Sequence, residues 1–115
     1  MMESSQTHPP VLVLVRDLIF ATKIRGTAEA LGTQVKMLRD PSLLAQQDGT
    51  LLIVDLNLPN VIPAAAEWQS QGDRKVVGFV SHVDAKTIAA ARAAGLTEIM
   101  PRSRFVEVLP SLLNR

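Results

Sequence analysis

The stretch 51–59 constrains the fold of this chain more than any other part of the sequence. Four apolar residues run directly into Asp55, and a turn that contains Asn57 and Pro59 follows. A continuous apolar run of this length suits a strand that is buried on both faces, as in a parallel sheet covered by helices. An acid at the carboxyl end of such a strand lies at the edge where α/β proteins build their sites. From this stretch alone, two interpretations of Asp55 are equally favoured: a functional residue, or simply the first residue of a polar turn.

The composition excludes several classes of function. A chain of 115 residues, 47% of them apolar, is long and apolar enough for one domain with a proper core. The formal charge of +1 gives no basic field of the kind that binds nucleic acid. Because the chain has no cysteine, it cannot form a disulfide, a zinc–thiolate site or a catalytic thiol.

Residues 1–10 are polar and end in two prolines, without the basic start and apolar middle of a signal peptide. No apolar run approaches the length of a membrane span. The sequence therefore predicts a disordered leader over 1–10, one domain over 11–115 and a cytoplasmic location.

Apolar runs and capping residues predict five strands that alternate with five helices. The predicted strands are 11–15, 34–38, 51–55, 75–80 and 97–100, and the predicted helices are 18–31, 42–47, 60–71, 85–94 and 103–113. Predicted helix ends include the N-caps Asp40, Asp84 and Ser103 and the left-handed cap Gly32. Pro110 predicts a kink or break in the last helix. This alternation predicts an α/β fold, a doubly wound parallel sheet with the flavodoxin-like order 2-1-3-4-5.

Polar side chains follow the carboxyl ends of four predicted strands. Strand 1 is followed by Arg16 and Asp17, strand 3 ends in Asp55, and the next two are followed by Ser81 and Arg102. Paired acids bind a hard cation such as magnesium, and a hydroxyl with a cation beside an acid can hold a phosphoryl oxygen. The sequence therefore predicts that these residues cluster at one sheet edge, with Arg16 at its rim or inside it.

Over residues 11–113 the chain resembles the receiver domain of bacterial two-component response regulators, the CheY-like family. The run around Asp55 resembles the family's phospho-acceptor segment, and Ser81 stands where the family keeps a hydroxyl that contacts the phosphoryl group. Arg102 stands at the position of the family's site lysine. The resemblance implies a magnesium site at Asp17, Asp55 and the carbonyl of Asn57.

The chain departs from the receiver pattern at three positions. The first of the two acids after strand 1 is Arg16, the residue before Arg102 is Pro101, and Ile99 replaces an aromatic residue on strand 5. The chain thus resembles a degenerate receiver, or pseudo-receiver. Because Arg16 repels a divalent cation, we expect weak or absent magnesium binding at Asp17 and Asp55. Arg16 then either pairs with one of these acids in place of the metal or turns to solvent.

The first functional hypothesis is a stand-alone signalling module that is not an enzyme and acts through protein–protein interaction without phosphorylation. The resemblance implies a histidine kinase or a downstream regulator as partner, bound by the face of the fourth helix, fifth strand and fifth helix. A homodimer is a further possibility, whereas nucleic acid and membrane are not expected partners. Because the sequence ends after the fifth helix, no output domain is expected.

Two alternatives stay open. In the first, Asp55 accepts a phosphoryl group from a histidine kinase with magnesium as cofactor. In the second, the chain is a small α/β ligand-binding domain, for example for flavin, although aromatic residues make up only 3% of the chain. Apart from magnesium in the phosphorylated case, no cofactor is expected.

Overall fold

Five parallel strands form the sheet in the computed structural model, which describes residues 9–80 and 84–114. The strands are β1 (Val11–Leu14), β2 (Val35–Leu38), β3 (Leu51–Asp55), β4 (Lys75–Val80) and β5 (Glu98–Pro101). Their order is β2-β1-β3-β4-β5, and each neighbouring pair is parallel. The predicted fold class and strand order are therefore confirmed.

Within the described residues, three α-helices and one 3-10 helix connect the strands, and a fourth α-helix follows the last strand. They are α1 (Leu18–Leu31), the 3-10 helix (Pro41–Gln46), α2 (Val61–Ser70), α3 (Ala85–Ala93) and α4 (Arg102–Leu113). The fourth and fifth helices of the sequence prediction are thus α3 and α4. Asp40 and Asp84 cap their helices as predicted, since each carboxylate accepts a backbone N–H two residues on.

Each face of the sheet is covered by its own set of helices. On one face, α1 and α4 lie side by side, and Phe20, Phe79 and Phe105 contact one another with ring centroids 4.9 to 5.5 Å apart. On the other face, the 3-10 helix, α2 and α3 contribute buried residues to a second apolar cluster, which includes the fully buried Trp68 of α2. Alternate residues of the strands pack on the two faces, which explains why β1 is apolar throughout and β3 is apolar up to Asp55.

The backbone after Asp55 is held closely against β4. The N–H of Leu56 donates to the carbonyl of Phe79 at 2.9 Å, which extends the pairing beyond β3. The Leu56 side chain lies over Gly78, where a Cβ would stand only 2.7 Å from Leu56 Cδ1. Gly78 is therefore needed for a close approach, not for a turn.

The predicted N-cap of α4 is wrong, and of the kink or break predicted at Pro110 the break is wrong. Ser103 is not its N-cap, because the helix begins at Arg102, directly after Pro101, whose backbone is extended and whose side chain makes no capping bond. The helix also continues through Pro110 without a break. Pro110 lies on the exposed side of the helix, while Leu109 and Leu113 are buried.

In the part of the chain that the structure describes, no helix combines the length and the apolar character that crossing a membrane requires. Most of the predicted leader lies outside the described residues, and Pro9 and Pro10 precede β1 without regular structure.

Candidate functional site

Parallel pairing brings the carboxyl ends of β1, β3, β4 and β5 to one edge of the sheet. Asp55 pairs with Phe79 of β4, and Phe79 pairs with Met100 of β5. Asp55 therefore lies level with the last residues of these two strands. Asp17 follows β1 and Arg102 follows β5. Ser81, predicted as the fourth member, lies outside the described residues.

Asp55 is the one charged residue that is buried among the described residues, with 7% of its surface exposed. Its Oδ1 accepts the N–H of Asn57 at 2.9 Å, and its carbonyl accepts the N–H of Leu58 at 3.2 Å. A carboxylate that accepts the N–H two residues on forms an Asx-turn, which fixes the start of the loop after β3. Asp55 therefore starts a turn and also presents a buried carboxylate at the sheet edge.

Asp17 has both carboxylate oxygens engaged. Oδ1 accepts the N–H of Phe20 at 3.1 Å and so caps α1, while Oδ2 lies 3.0 Å from Nη2 of Arg102. The Phe20 N–H, followed by the hydrogen bond from Arg102, lowers the pKa of Asp17 below its ordinary value. Asp17 is thus held as a carboxylate that joins the first turns of α1 and α4.

Arg102 is fixed by more than its ion pair. Its guanidinium Cζ lies 4.2 Å from the ring centroid of Phe20, a distance typical of cation–π contacts. Its Nε is buried and has no hydrogen-bond partner among the described residues. The aromatic ring and the Asp17 carboxylate together hold a positive charge at the sheet edge.

Arg16 is exposed and lies at the rim of the site. With Asp40, Ser42 and Asn60 it lines a small pocket of about 290 Å³ on the side of the 3-10 helix. The pKa of Asp40 is lowered first by hydrogen bonds to Ser42 and also by the charge of Arg16. Of the two alternatives for Arg16, the exposed position agrees with a side chain turned to solvent. The arginine that pairs with Asp17 is Arg102.

The Asp17 carboxylate, a predicted magnesium ligand, is engaged by protein groups at both of its oxygens. Magnesium needs oxygen ligands in near-octahedral geometry, and Asp17 already gives one oxygen to the α1 backbone and the other to a guanidinium. Between residues 9–80 and 84–114, no group of three or more His, Asp or Glu side chains is placed to hold a metal ion. The positive charge of Arg102 would also repel a divalent cation beside Asp17.

The sequence predicts that Asp17 and Arg102 lie at one edge of the sheet, but it does not predict the ion pair between them. Asp17 stands immediately before the first apolar residue of α1, which is the ordinary sequence signal of an N-cap. The contact between Arg102 and Phe20 has no local signal, because it depends on how α1 and α4 pack together.

Comparison of sequences finds no matching protein-family model and no matching curated protein. Solved structures do match. A receiver domain protein from Methanospirillum hungatei is 12% identical, with a TM-score of 0.74 over 94% of this chain and 95% of the other. A response regulator from Thermotoga maritima is 17% identical, with a TM-score of 0.68 over 91% and 94%.

A third match is a response regulator from Burkholderia pseudomallei whose structure has a phosphorylated aspartic acid, a calcium ion and citrate. It is 20% identical, with a TM-score of 0.73 over 91% of this chain and 66% of the other. At these identities the comparisons show a shared fold, which is that of response-regulator receiver domains.

Proposed function

We propose that this chain, which has the fold of receiver domains, is a receiver-like module of a bacterial two-component-type pathway. It works in the cytoplasm by binding other proteins, as a pseudo-receiver whose signalling does not depend on phosphorylation of Asp55. The observation that carries this proposal is the Asp17–Arg102 ion pair, in which the acid that remains after β1 is already neutralised.

Charge neutralisation is the reason why this ion pair matters. Transfer of a phosphoryl group relies on positioning and on a metal ion that offsets the developing negative charge. To hold that ion here, Asp17 would have to release Arg102 and weaken the cap of α1. Arg102 supplies a fixed positive charge at this edge, so the role first considered for Arg16 passes to Arg102.

Asp55 supports the same proposal from the strand side. Its carboxylate is buried, and one of its oxygens is bound by the Asn57 N–H, which ties it to the loop after β3. Such a carboxylate stabilises the turn without any chemistry. Its position at the end of β3 is then a structural feature that the chain shares with phosphorylated receivers.

The partner surface that we propose consists of α3, β5 and α4. Ile88 of α3 and Ile99 of β5 are half-buried there, and Arg104 and Glu107 of α4 form an exposed ion pair at 3.2 Å. A mixed apolar and charged surface of this kind suits a protein partner. By the resemblance to receivers, that partner is a histidine kinase or a downstream regulator.

Intact-mass measurement with acetyl phosphate and millimolar magnesium tests the proposal. We expect the protein to keep its unmodified mass, because Asp17 pairs with Arg102 and is not available to hold the metal that would offset the charge at Asp55. An added phosphoryl mass that disappears in Asp55→Asn would contradict the proposal and establish a phospho-acceptor instead.

The role of Arg102 can be isolated with a matched pair of variants. Replacing Arg102→Gln frees one oxygen of Asp17, so magnesium added to this variant should shift the amide NMR signals near Asp17. Arg104 is on the same helix but pairs with Glu107, not with Asp17. The NMR signals of Arg104→Gln should therefore shift on adding magnesium no more than those of the unmodified protein. Strong magnesium shifts in the unmodified protein would show that Arg102 does not exclude the ion.

A further inference from the structure

A groove of about 390 Å³ runs between α1 and the sheet-edge strand β2. Its floor is apolar, because the buried residues Val15, Ala21 and Leu38 line it. Three exposed arginines line it as well, at the end of β1, in the second turn of α1 and after β2; they are Arg16, Arg25 and Arg39. We call this feature the arginine groove.

The positive charge of the arginine groove is poorly compensated. No acidic residue lines it, and none of the ion pairs among the described residues uses one of its three arginines. The charge of Arg16 contributes to the lowered pKa of Asp40, but the Asp40 carboxylate already accepts the N–H of Ser42 at 2.9 Å. Glu29, one turn beyond Arg25 on α1, lines a neighbouring pocket together with Arg25, but the ion pairs of the described residues do not include one between these two side chains.

The groove also exposes apolar surface between these charges. Leu18 is 78% exposed in the first turn of α1, and Met37 of β2 is half-buried. A large apolar side chain left in water beside unpaired guanidinium groups marks a surface that a partner can cover. The complementary ligand has carboxylates for the arginines and an apolar side chain for Leu18 and the floor.

From this complementarity we infer that the arginine groove binds an acidic segment of a partner protein that carries a large apolar side chain between its carboxylates. Guanidinium groups pair well with carboxylates, and such pairs set orientation and register in addition to affinity. A nucleic acid would neutralise the arginines but would leave Leu18 uncovered. Neither Asp55 nor Arg102 lines the groove, so this inference does not rest on the proposed function.

Binding of a fluorescein-labelled peptide, Glu-Asp-Leu-Glu-Asp with both ends blocked, tests the inference by fluorescence anisotropy on the full chain. We expect Arg25→Gln and Arg39→Gln each to raise the Kd about twofold to fivefold, the range of exposed charge pairs. Leu18→Gln should also raise it, because the apolar contact is lost. Arg16 stays unchanged in these variants, since it also lies at the rim of the candidate site.

Two matched controls are available. Lys23→Gln removes a positive charge from α1 at a residue that does not line the groove, and Arg92→Gln removes an exposed arginine from α3. Neither should change the Kd, and a peptide with Gln and Asn in place of the acids should bind more weakly. Amide NMR shifts on adding the acidic peptide should be concentrated in α1 and β2.

Four results would overturn the inference. The first two are no anisotropy change at millimolar protein and an equal loss of peptide affinity in the control variants. The other two are tighter binding of a single-stranded DNA oligonucleotide than of the peptide, and NMR shifts confined to α3, β5 and α4. Phosphorylation of Asp55 in the mass experiment would leave the inference standing, so the two proposals fail separately.

Discussion

Two donors of different kinds hold the Asp17 carboxylate, and a titration can separate them. Replacing Arg102→Gln should raise the pKa of Asp17 but leave it below its ordinary value, because the Phe20 N–H is the larger cause of the lowering and remains. The measurement is the side-chain carboxyl ¹³C shift of Asp17 against pH. Arg104→Gln is the control, and an unchanged pKa in Arg102→Gln would refute a direct role for the ion pair.

The sign of the pH dependence follows from the same lowering. A carboxyl group whose pKa is lower in the folded than in the unfolded chain stabilises the fold above its unfolded pKa. That stabilisation is lost as the pH falls through the lowered, folded pKa. With Arg102→Gln the stabilisation should be smaller, and its loss should occur at a higher pH than in the unmodified protein.

At the scale of one element, replacing the glycine inside α1 and replacing the glycine at its C-cap should change the stability in opposite directions. Gly26 lies within the helix, and a Cβ there would meet nothing within 4 Å, so Gly26→Ala should stabilise the protein by about 0.5–1 kcal/mol. Gly32 ends the helix at φ 72°, where a Cβ is strained, so Gly32→Ala should destabilise it by about 1 kcal/mol. Urea unfolding followed by Trp68 fluorescence measures both, and effects of the same sign would contradict this interpretation.

At the scale of the whole molecule, Trp68 joins three parts of the chain. Its Nε1 donates to the carbonyl of Gln47 at 3.0 Å, and the guanidinium of Arg74 lies 4.6 Å from its ring centroid. Trp68→Phe leaves a void and an unpaired carbonyl, so we expect a loss of about 2–4 kcal/mol in the free energy of unfolding. Circular dichroism in urea measures it, since Trp68 is the one tryptophan of the chain.

A control separates the carbonyl contact from the neighbouring side chain. Gln47→Ala keeps the carbonyl that Trp68 binds, so its effect should stay within about 0.5 kcal/mol. A loss as large as that of Trp68→Phe would show that the Gln47 side chain, not the carbonyl contact, stabilises this region.

The sequence predicted the sheet well because each strand carries its own signal. Apolar runs such as the one before Asp55 and caps such as Asp84 are local, and their alternation leaves few topologies. The start of α4 was predicted wrongly because Ser103 and Pro101 offer competing local signals, and the helix begins right after the proline. The partner of Asp17 was not predicted, because the approach of Arg102 depends on packing between distant elements.

The two outer strands, β2 and β5, bear on how copies of this protein can meet. Each has four residues; β2 carries the exposed Lys36, and β5 ends in Pro101. Short edge strands that carry lysine or proline disfavour pairing with a strand of another molecule, which is one way in which natural proteins avoid edge-to-edge aggregation. Both edge strands of this sheet therefore disfavour its extension by a strand from a second copy of the chain.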